Sequence, residues 1–441
     1  MEIKNSRKTI RNKIISSMLV LALMFFSFLF SEKIERFLGM NITLAKNEVL
    51  EEALTDSDYS VNYLDVGQGN CSVVYLPDGK VAVIDGGDEM YGKKIHEFLQ
   101  EKNISKIDFL IATHADSDHI GGLNYLFDKY EIENIFRPFQ ISGSGSSAEM
   151  FEVYAHEDLC DVYEHYVTST NNKSKISRVT SSVYQTFIKN IYSETYLESE
   201  ELKPAKVTVF YDGLKISGEN YCFEFFAPLV RDEKINLQTM SNTKGFATKG
   251  YGSTNSNDNS AIFLLTVKNQ KFMFSGDASW KDGSSKESAS KTFAENDFLK
   301  SLSESEKKNL SKVTVFILGH HGSSYSSSQE LLDLLSPKFV VVSVGKNNNY
   351  GHPSSEVLFR IEKTTNIAGD YLLRTDLNGD VAFGEISGKV VYSLQKSNIL
   401  QNQTISWELF ATLLSALIII LIASKKPKVD NKGNFFDMTR K

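Results

Sequence analysis

Thr113-His114-Ala115-Asp116-Ser117-Asp118-His119-Ile120-Gly121-Gly122 follows the apolar run Phe109-Leu110-Ile111-Ala112 and crowds four potential metal ligands into six residues. Two imidazoles and two carboxylates at i, i+2, i+4 and i+5 of a strand-to-helix loop can face one small volume. Left unpaired, such charges repel by on the order of several kcal/mol. Bound divalent cations remove that repulsion.

Three more polar constellations follow apolar runs. Lys271-Phe272-Met273-Phe274 leads into Ser275-Gly276-Asp277, Val313 to Leu318 into Gly319-His320-His321-Gly322-Ser323, and Phe339 to Val344 reaches Gly351-His352-Pro353. Buried strands thus deliver polar groups at their ends. The chain has eight histidines, and five of them (His114, His119, His320, His321 and His352) lie in these few loops.

Earlier runs read as β-structure: Val61 to Val66, Cys71 to Leu76 and Val81 to Ile84, separated by Gly67-Gln68-Gly69 and Pro77-Asp78-Gly79. Lys93 to Glu101 has helical amphipathic spacing, and Ile107 to Ala112 reads as a buried strand. Strand meanders followed by alternating strands and helices predict sheets covered by helices. Residues 142–205 read as a polar, helical insertion, a lid or side layer, opened by Gly143-Ser144-Gly145-Ser146-Ser147, and Asp232 to Ser260 reads as a mobile loop bordering the site.

These motifs resemble the metallo-β-lactamase superfamily, and within it the soluble domain of ComEC-type DNA-uptake competence proteins, over residues 61–392. The residues that carry the resemblance are Leu64-Asp65-Val66-Gly67-Gln68-Gly69, Ile84-Asp85-Gly86-Gly87, the His114 to Gly122 loop, Asn259-Ser260, Ser275-Gly276-Asp277, His320-His321-Gly322-Ser323, Gly351-His352-Pro353 and Arg374 to Gly379. The resemblance implies an α/β fold, an αββα sandwich, with two divalent metal ions, zinc or manganese, at its edge. It implies His114 and Asp116 on one ion, Asp118, His119 and His352 on the other, and Asp277 between them. Carboxylate-rich O/N donor sets suit both metals, and paired ions can activate a hydrolytic water. Asp118 then belongs to the catalytic set with His320 or His321, an imidazole suited to protonating a leaving oxygen. Either of the two could instead ligate metal or bond a carboxylate such as Asp85.

Three positions depart from the family pattern. Asp116 replaces the second histidine of the more usual His-x-His-x-Asp-His, Asn257-Asp258-Asn259-Ser260 stands where many members place a further histidine, and Asn70 stands where the branch usually has aspartate. Other readings fail on their own chemistry. Phe127 occupies the position where an EF-hand needs a bidentate glutamate. Gly67-Gln68-Gly69 lacks a third glycine and reads as a hairpin turn, as does Asn378-Gly379 between Tyr371-Leu372-Leu373 and Val381-Ala382-Phe383. His96, His156 and His165 sit in polar helical contexts and read as solvated. The serines after His321 lack a nucleophile elbow.

Ile14 to Phe30 is free of charge and follows Lys4, Arg7, Lys8, Arg11 and Lys13, the layout of an uncleaved membrane anchor. Leu409 to Ala423, with Trp407 before it and Lys425, Lys426 and Lys428 after it, reads as a second membrane helix. The expected organisation is an N-terminal anchor (1–31), a linker (32–58), the hydrolase domain (59–396), a transmembrane helix (405–424) and a basic cytoplasmic tail (425–441). Basic residues at both ends place the domain outside the cell membrane. Three scattered cysteines imply no disulfide framework.

The terminal tails together carry +8, so the remainder of the chain carries −15 within a formal net charge of −7. That balance lacks the basic footprint of non-specific nucleic-acid binding. The expectation is a membrane-tethered, extracytoplasmic metallohydrolase acting on a nucleic-acid or small phosphodiester, the substrate class resting on the resemblance. Hydrolysis of a small ester, lactone or amide is the alternative enzyme, and a non-catalytic membrane accessory in DNA uptake or envelope sensing the alternative class. Two membrane helices form no DNA channel, so a role in uptake requires a separate pore protein.

Overall fold

The computed structural model describes residues 57–138, 181–196, 205–228, 256–281, 293–364 and 371–395, together with Leu54 and four two-residue stretches. The chain divides into two units, residues 1–44 with 398–441, and residues 45–397. The second holds both large sheets. Among the described residues, fifteen strands of three residues or more follow along it: β1 (Ser60–Tyr63), β2 (Ser72–Tyr75), β3 (Val81–Ile84), β4 (Lys106–Ile111), β5 (Glu131–Arg137), β6 (Lys206–Val209), β7 (Lys215–Gly218), β8 (Tyr221–Ala227), β9 (Ile262–Val267), β10 (Gln270–Phe274), β11 (Val315–Ile317), β12 (Phe339–Val342), β13 (Leu372–Arg374), β14 (Val381–Ile386) and β15 (Lys389–Leu394).

They build an eight-stranded sheet in the order β15-β14-β1-β2-β3-β4-β5-β6 and a seven-stranded sheet in the order β13-β12-β11-β10-β9-β8-β7. Each is antiparallel in one half and parallel in the other, the parallel pairs being β3·β4, β4·β5 and β5·β6 in the first and β10·β11, β11·β12 and β12·β13 in the second. Strands β3, β11 and β12 are apolar throughout because both of their faces are covered. Alternate residues of β9 and β10, Phe263, Leu265, Phe272 and Phe274, join Tyr63, Val74, Phe109 and Phe383 between the sheets. Their neighbours Leu264 and Met273 face outward. Aromatic stacking runs through this layer, with Phe263 against Phe225 at 4.9 Å and against Phe274 at 4.8 Å. Each such ring contributes about 1.5–3 kcal/mol by burial.

Helices close both outer faces. Over the first sheet, α1 (Gly92–Glu101) buries Ile95 and Leu99, one turn apart, and turns Lys93 and Glu97 outward as an i,i+4 ion pair. The short α2 (Ser117–Ile120) and α3 (Ser182–Tyr196) complete that layer. Over the second sheet lie α4 (Ala294–Ser301), α6 (Gln329–Leu335) and α7 (Ser355–Lys363), with the capping-box helix α5 (Glu304–Leu310) between the first two in sequence. The result is the expected αββα sandwich.

One local expectation fails. Asn378-Gly379 does not turn a hairpin: β13 pairs with β12 in the second sheet, whereas β14 pairs with β1 in the first. The helical turn α8 (Thr375–Asn378) carries the chain between sheets. Asn378 Oδ1 accepts the Arg374 N–H at 2.8 Å, the Arg374 guanidinium grips Asp376 at 3.0 and 2.7 Å, and Gly379 takes a φ of 67°. A two-residue turn signal yields to ladder partners on either side.

Residues 14–30 and 409–423, most of the insertion 142–205, and most of 232–260 lie outside the described residues. Among the described residues no helix is long and apolar enough to cross a membrane.

Candidate metal centre

The parallel halves of the two sheets end at one edge, where open α/β sheets gather their polar groups. After β3 comes Asp85, buried and at a φ of 56°. Its carboxylate accepts the Thr113 N–H at 2.7 Å, the Thr113 hydroxyl at 2.8 Å and Nδ1–H of His119 at 2.8 Å. Three donors on one carboxylate fix the loop after β4. Nδ1 of His119 is thereby committed to Asp85, and Nε2 is the ring nitrogen left facing the centre.

Glycines let this loop pack against its neighbours. A Cβ on Gly122 would lie 2.1 Å from the Gly86 carbonyl oxygen, and one on Gly69 would lie 2.5 Å from the Asp118 carbonyl oxygen. Asn70 donates its N–H to the Asp118 carbonyl and accepts from Gly87, so its backbone serves the loop.

From the second sheet, Asp277 follows β10 and anchors its N–H on Ser260 Oγ at 3.0 Å. His320 and His321 follow β11 at φ 50° and 53°, a left-handed conformation costing roughly 1–3 kcal/mol at each non-glycine residue. His320 N–H donates to the Gly276 carbonyl, and His321 Nδ1–H donates to the Ser343 carbonyl at 3.0 Å. The strained pair turns the two rings in different directions: His321 is buried with Nε2 3.2 Å from Asp118 Oδ2, while His320 is partly exposed with Nε2 3.5 Å from Asp277 Oδ2.

Two groups converge, His114 with His119 and Asp277, and Asp118 with His119 and His321. Among the described residues, His114 Nε2, His119 Nε2 and Asp277 Oδ1 are buried with no aligned hydrogen-bond partner, although His119 Nε2 and Asp277 Oδ1 are only 3.1 Å apart. Orphaned buried polar atoms cost about 1–3 kcal/mol each. Mixed imidazole and carboxylate donors aimed at one another fit a divalent cation, which satisfies them together.

Protonation follows from this crowding. Burial and the adjacent His119 push the His114 imidazole down, whereas Asp277 and Asp85 overcome burial and hold His119 up. Asp277 lies well below the usual carboxylate range because the surrounding histidines outweigh burial. Asp118 falls to about 2, its burial outweighed by the His321 bond and by His119. Both aspartates are therefore anions.

Asp116 stands at the rim, Oδ2 3.8 Å from His114 Nε2, with Oδ1 accepting from Ser256 Oγ. His352 belongs to neither converging group. Its ring packs against His320 at 5.7 Å and the exposed Tyr350 at 5.7 Å, and its Nδ1 faces Gln68 Nε2 at 3.3 Å. Burial, with His320 and His321 nearby, pushes His352 down to about 4. His96 is not a solvated surface residue, for its Nδ1 meets the Tyr130 hydroxyl at 2.8 Å; His156 and His165 lie outside the described residues.

Three supports were not legible from sequence. Gln68 reads there only as part of a turn. Glu295, buried in α4, accepts the N–H groups of Ser327 and Ser328 at 2.8 Å each, in the loop after His321. Burial pushes its carboxyl up to about 7 despite those bonds and Arg360. Arg360 in α7 donates to the carbonyls of Ser324 and Ser326 in the same loop.

An αββα sandwich with these donors at the ends of its parallel strands carries a candidate metal centre, and residues 64–135 of the chain match the family model of the metallo-β-lactamase superfamily. Two longer proteins resemble the chain. It is similar to ComE operon protein 3 of Bacillus subtilis, 23% identical over 347 residues that make up 74% of this chain and 33% of that one. It is also similar to competence protein ComA of Neisseria gonorrhoeae, 46% identical over 70 residues, 16% of this chain and 10% of the relative. The chain thus spans a third or less of the length of either relative. Among solved structures it is similar to the metallo-β-lactamase fold protein YhfI of Bacillus subtilis, at 9% identity and a TM-score of 0.36, covering 76% of this chain and 100% of that one.

Proposed function

We propose that residues 59–396 form a phosphodiesterase working with two divalent ions, zinc or manganese, held outside the cell membrane by spans at 14–30 and 409–423. The observation that carries this reading is the pair of converging groups, His114·His119·Asp277 and Asp118·His119·His321, with unpartnered buried donor atoms. His114, with Asp116 at the rim, would hold one ion. Asp118 and His321 would hold the other, His119 would serve one of the two through Nε2, and Asp277 would complete the set. When bound, the ions supply Lewis-acid polarisation of a phosphoryl oxygen and an activated water.

The chain's own groups do the rest. Asp85 holds His119 in the tautomer whose Nε2 faces the centre, and the Ser343 carbonyl does the same for His321. His320, partly exposed and 3.5 Å from Asp277 Oδ2, is placed to donate its own proton to a leaving oxygen, with the Asp277 carboxylate beside the ring. Phosphodiesters are favoured by similarity to competence proteins and by a dinuclear donor set that clamps attacking and leaving oxygens. In DNA uptake the domain would work beside a separate pore protein.

The charge of −15 outside the tails supports a second reading, a small ester, lactone or amide substrate. Hydrolysis of bis-p-nitrophenyl phosphate and single-stranded DNA by the full chain and by Asp277→Ala, with metal content measured on both, separates the two. About two equivalents of metal and chelator-sensitive phosphodiester cleavage, lost in Asp277→Ala, support the proposal. Bound metal without such cleavage favours the second reading.

A further inference from the structure

Gln68 lies in the connection between β1 and β2, and its two amide atoms face groups of fixed chemistry. Oε1 is 3.2 Å from the Gly345 backbone nitrogen, and Nε2 is 3.3 Å from His352 Nδ1. A backbone N–H only donates, so the amide atom opposite Gly345 is the oxygen and the atom opposite His352 is the NH2. An amide NH2 offers no lone pair. Nδ1 of His352 is therefore the acceptor, and the neutral ring carries its one N–H on Nε2.

Both sides of this contact are pinned. A Cβ on Gly345 would lie 2.7 Å from the Gln68 nitrogen, so the two backbones touch. Ser343 Oγ donates to the Gly69 carbonyl at 2.6 Å. Asn348 accepts the His352 N–H at 3.0 Å and donates to the His352 carbonyl at 2.7 Å. Turning the amide over would set NH2 against N–H, with no room to adjust.

His119 and His321 show the opposite arrangement. Each gives Nδ1–H to an oxygen that can only accept, the Asp85 carboxylate or the Ser343 carbonyl, and so turns Nε2 to the centre, where release of its proton frees the lone pair that a cation takes. The partner of Nδ1 thus sorts the rings into ligand-ready and proton-bearing.

We propose that Gln68 is a positioning residue that holds His352 as the neutral Nε2–H tautomer, so that His352 donates a hydrogen bond to an anionic phosphoryl oxygen of the substrate and is not a metal ligand. The substrate half of this statement rests on the phosphodiesterase reading, and the tautomer half does not. No proton changes hands at His352.

The test is ring-nitrogen spectroscopy on the 15N-labelled full chain, with the His352 signals assigned by their loss in His352→Asn, together with zinc content and kinetics. Wild type should show a bare Nδ1 and a protonated Nε2. Gln68→Glu, whose carboxylate accepts Nδ1–H, should invert that pattern and lower kcat on bis-p-nitrophenyl phosphate by roughly 10- to 100-fold. His352→Asn should bind as much zinc as wild type. A protonated Nδ1 in wild type, or the loss of one zinc equivalent in His352→Asn, overturns the proposal. If wild type binds no zinc and cleaves no phosphodiester, the phosphodiesterase reading fails, while a bare Nδ1 in that protein still supports the role of Gln68.

Discussion

Nδ1 of His119 lies 2.8 Å from Oδ2 of Asp85, and this bond leaves His119 Nε2 facing Asp277 Oδ1 at 3.1 Å. Asp85 also takes both donors of Thr113, so one buried carboxylate sets both the loop and the ring. In Asp85→Asn the amide accepts with one atom only and sets an NH2 among donors. Zinc affinity, measured by competition with a chromophoric chelator, should fall about 10–100-fold while the fold persists. Unchanged affinity would show that His119 needs no orienting partner.

An ion that satisfies His114, His119 and Asp277 binds the folded chain alone, so it stabilises by mass action. Zinc at 100 times its Kd contributes about 2.7 kcal/mol, and each kcal/mol moves Tm by roughly 2–4 °C in a domain of 150–250 residues. Stripping with chelator should lower the wild-type Tm by several degrees and leave Asp277→Ala unmoved. Equal chelator responses in the two proteins would remove Asp277 from the binding set.

Glu295 has its carboxyl raised from an ordinary 4.5 to about 7 by burial. The folded state therefore holds a proton that the unfolded chain has released between those values, so the contribution of Glu295 is fully present below pH 4.5 and is lost as pH rises through 7. The difference corresponds to about 3 kcal/mol. Urea denaturation at pH 5 and pH 8 should show wild type losing that much more stability than Glu295→Gln, whose amide does not titrate. Parallel losses in both would place the carboxyl in its ordinary range.

Gly122→Ala sets a methyl 2.1 Å from the Gly86 carbonyl oxygen, a backbone atom that cannot swing away. Overpacking of this kind costs about 1–3 kcal/mol, and it separates the Asp85 strand end from the His114 to Gly122 loop. Thermal denaturation should report the loss of stability, and zinc titration a weakened site. A variant as stable as wild type would mean that the two loops part without cost.

The sequence by itself determined the kind of chemistry and where along the chain it stands. His114, Asp116, Asp118 and His119 occupy one loop, and apolar runs lead into Asp277, His320, His321 and His352. That much is legible because a strand buried on both faces must be apolar and the residue that leaves it meets solvent or a ligand, both local facts. Only the tertiary structure decided how those ends meet. It sent Leu372–Arg374 and Val381–Ile386 into different sheets, it set His321 beside Asp118 through a left-handed backbone that leaves His320 near the surface, and it drew Gln68 to His352, 284 residues away. Each outcome depends on which strands pair and in what register. Such partners are brought together by burying two sheets against each other, a global free-energy minimum that no short window of sequence contains.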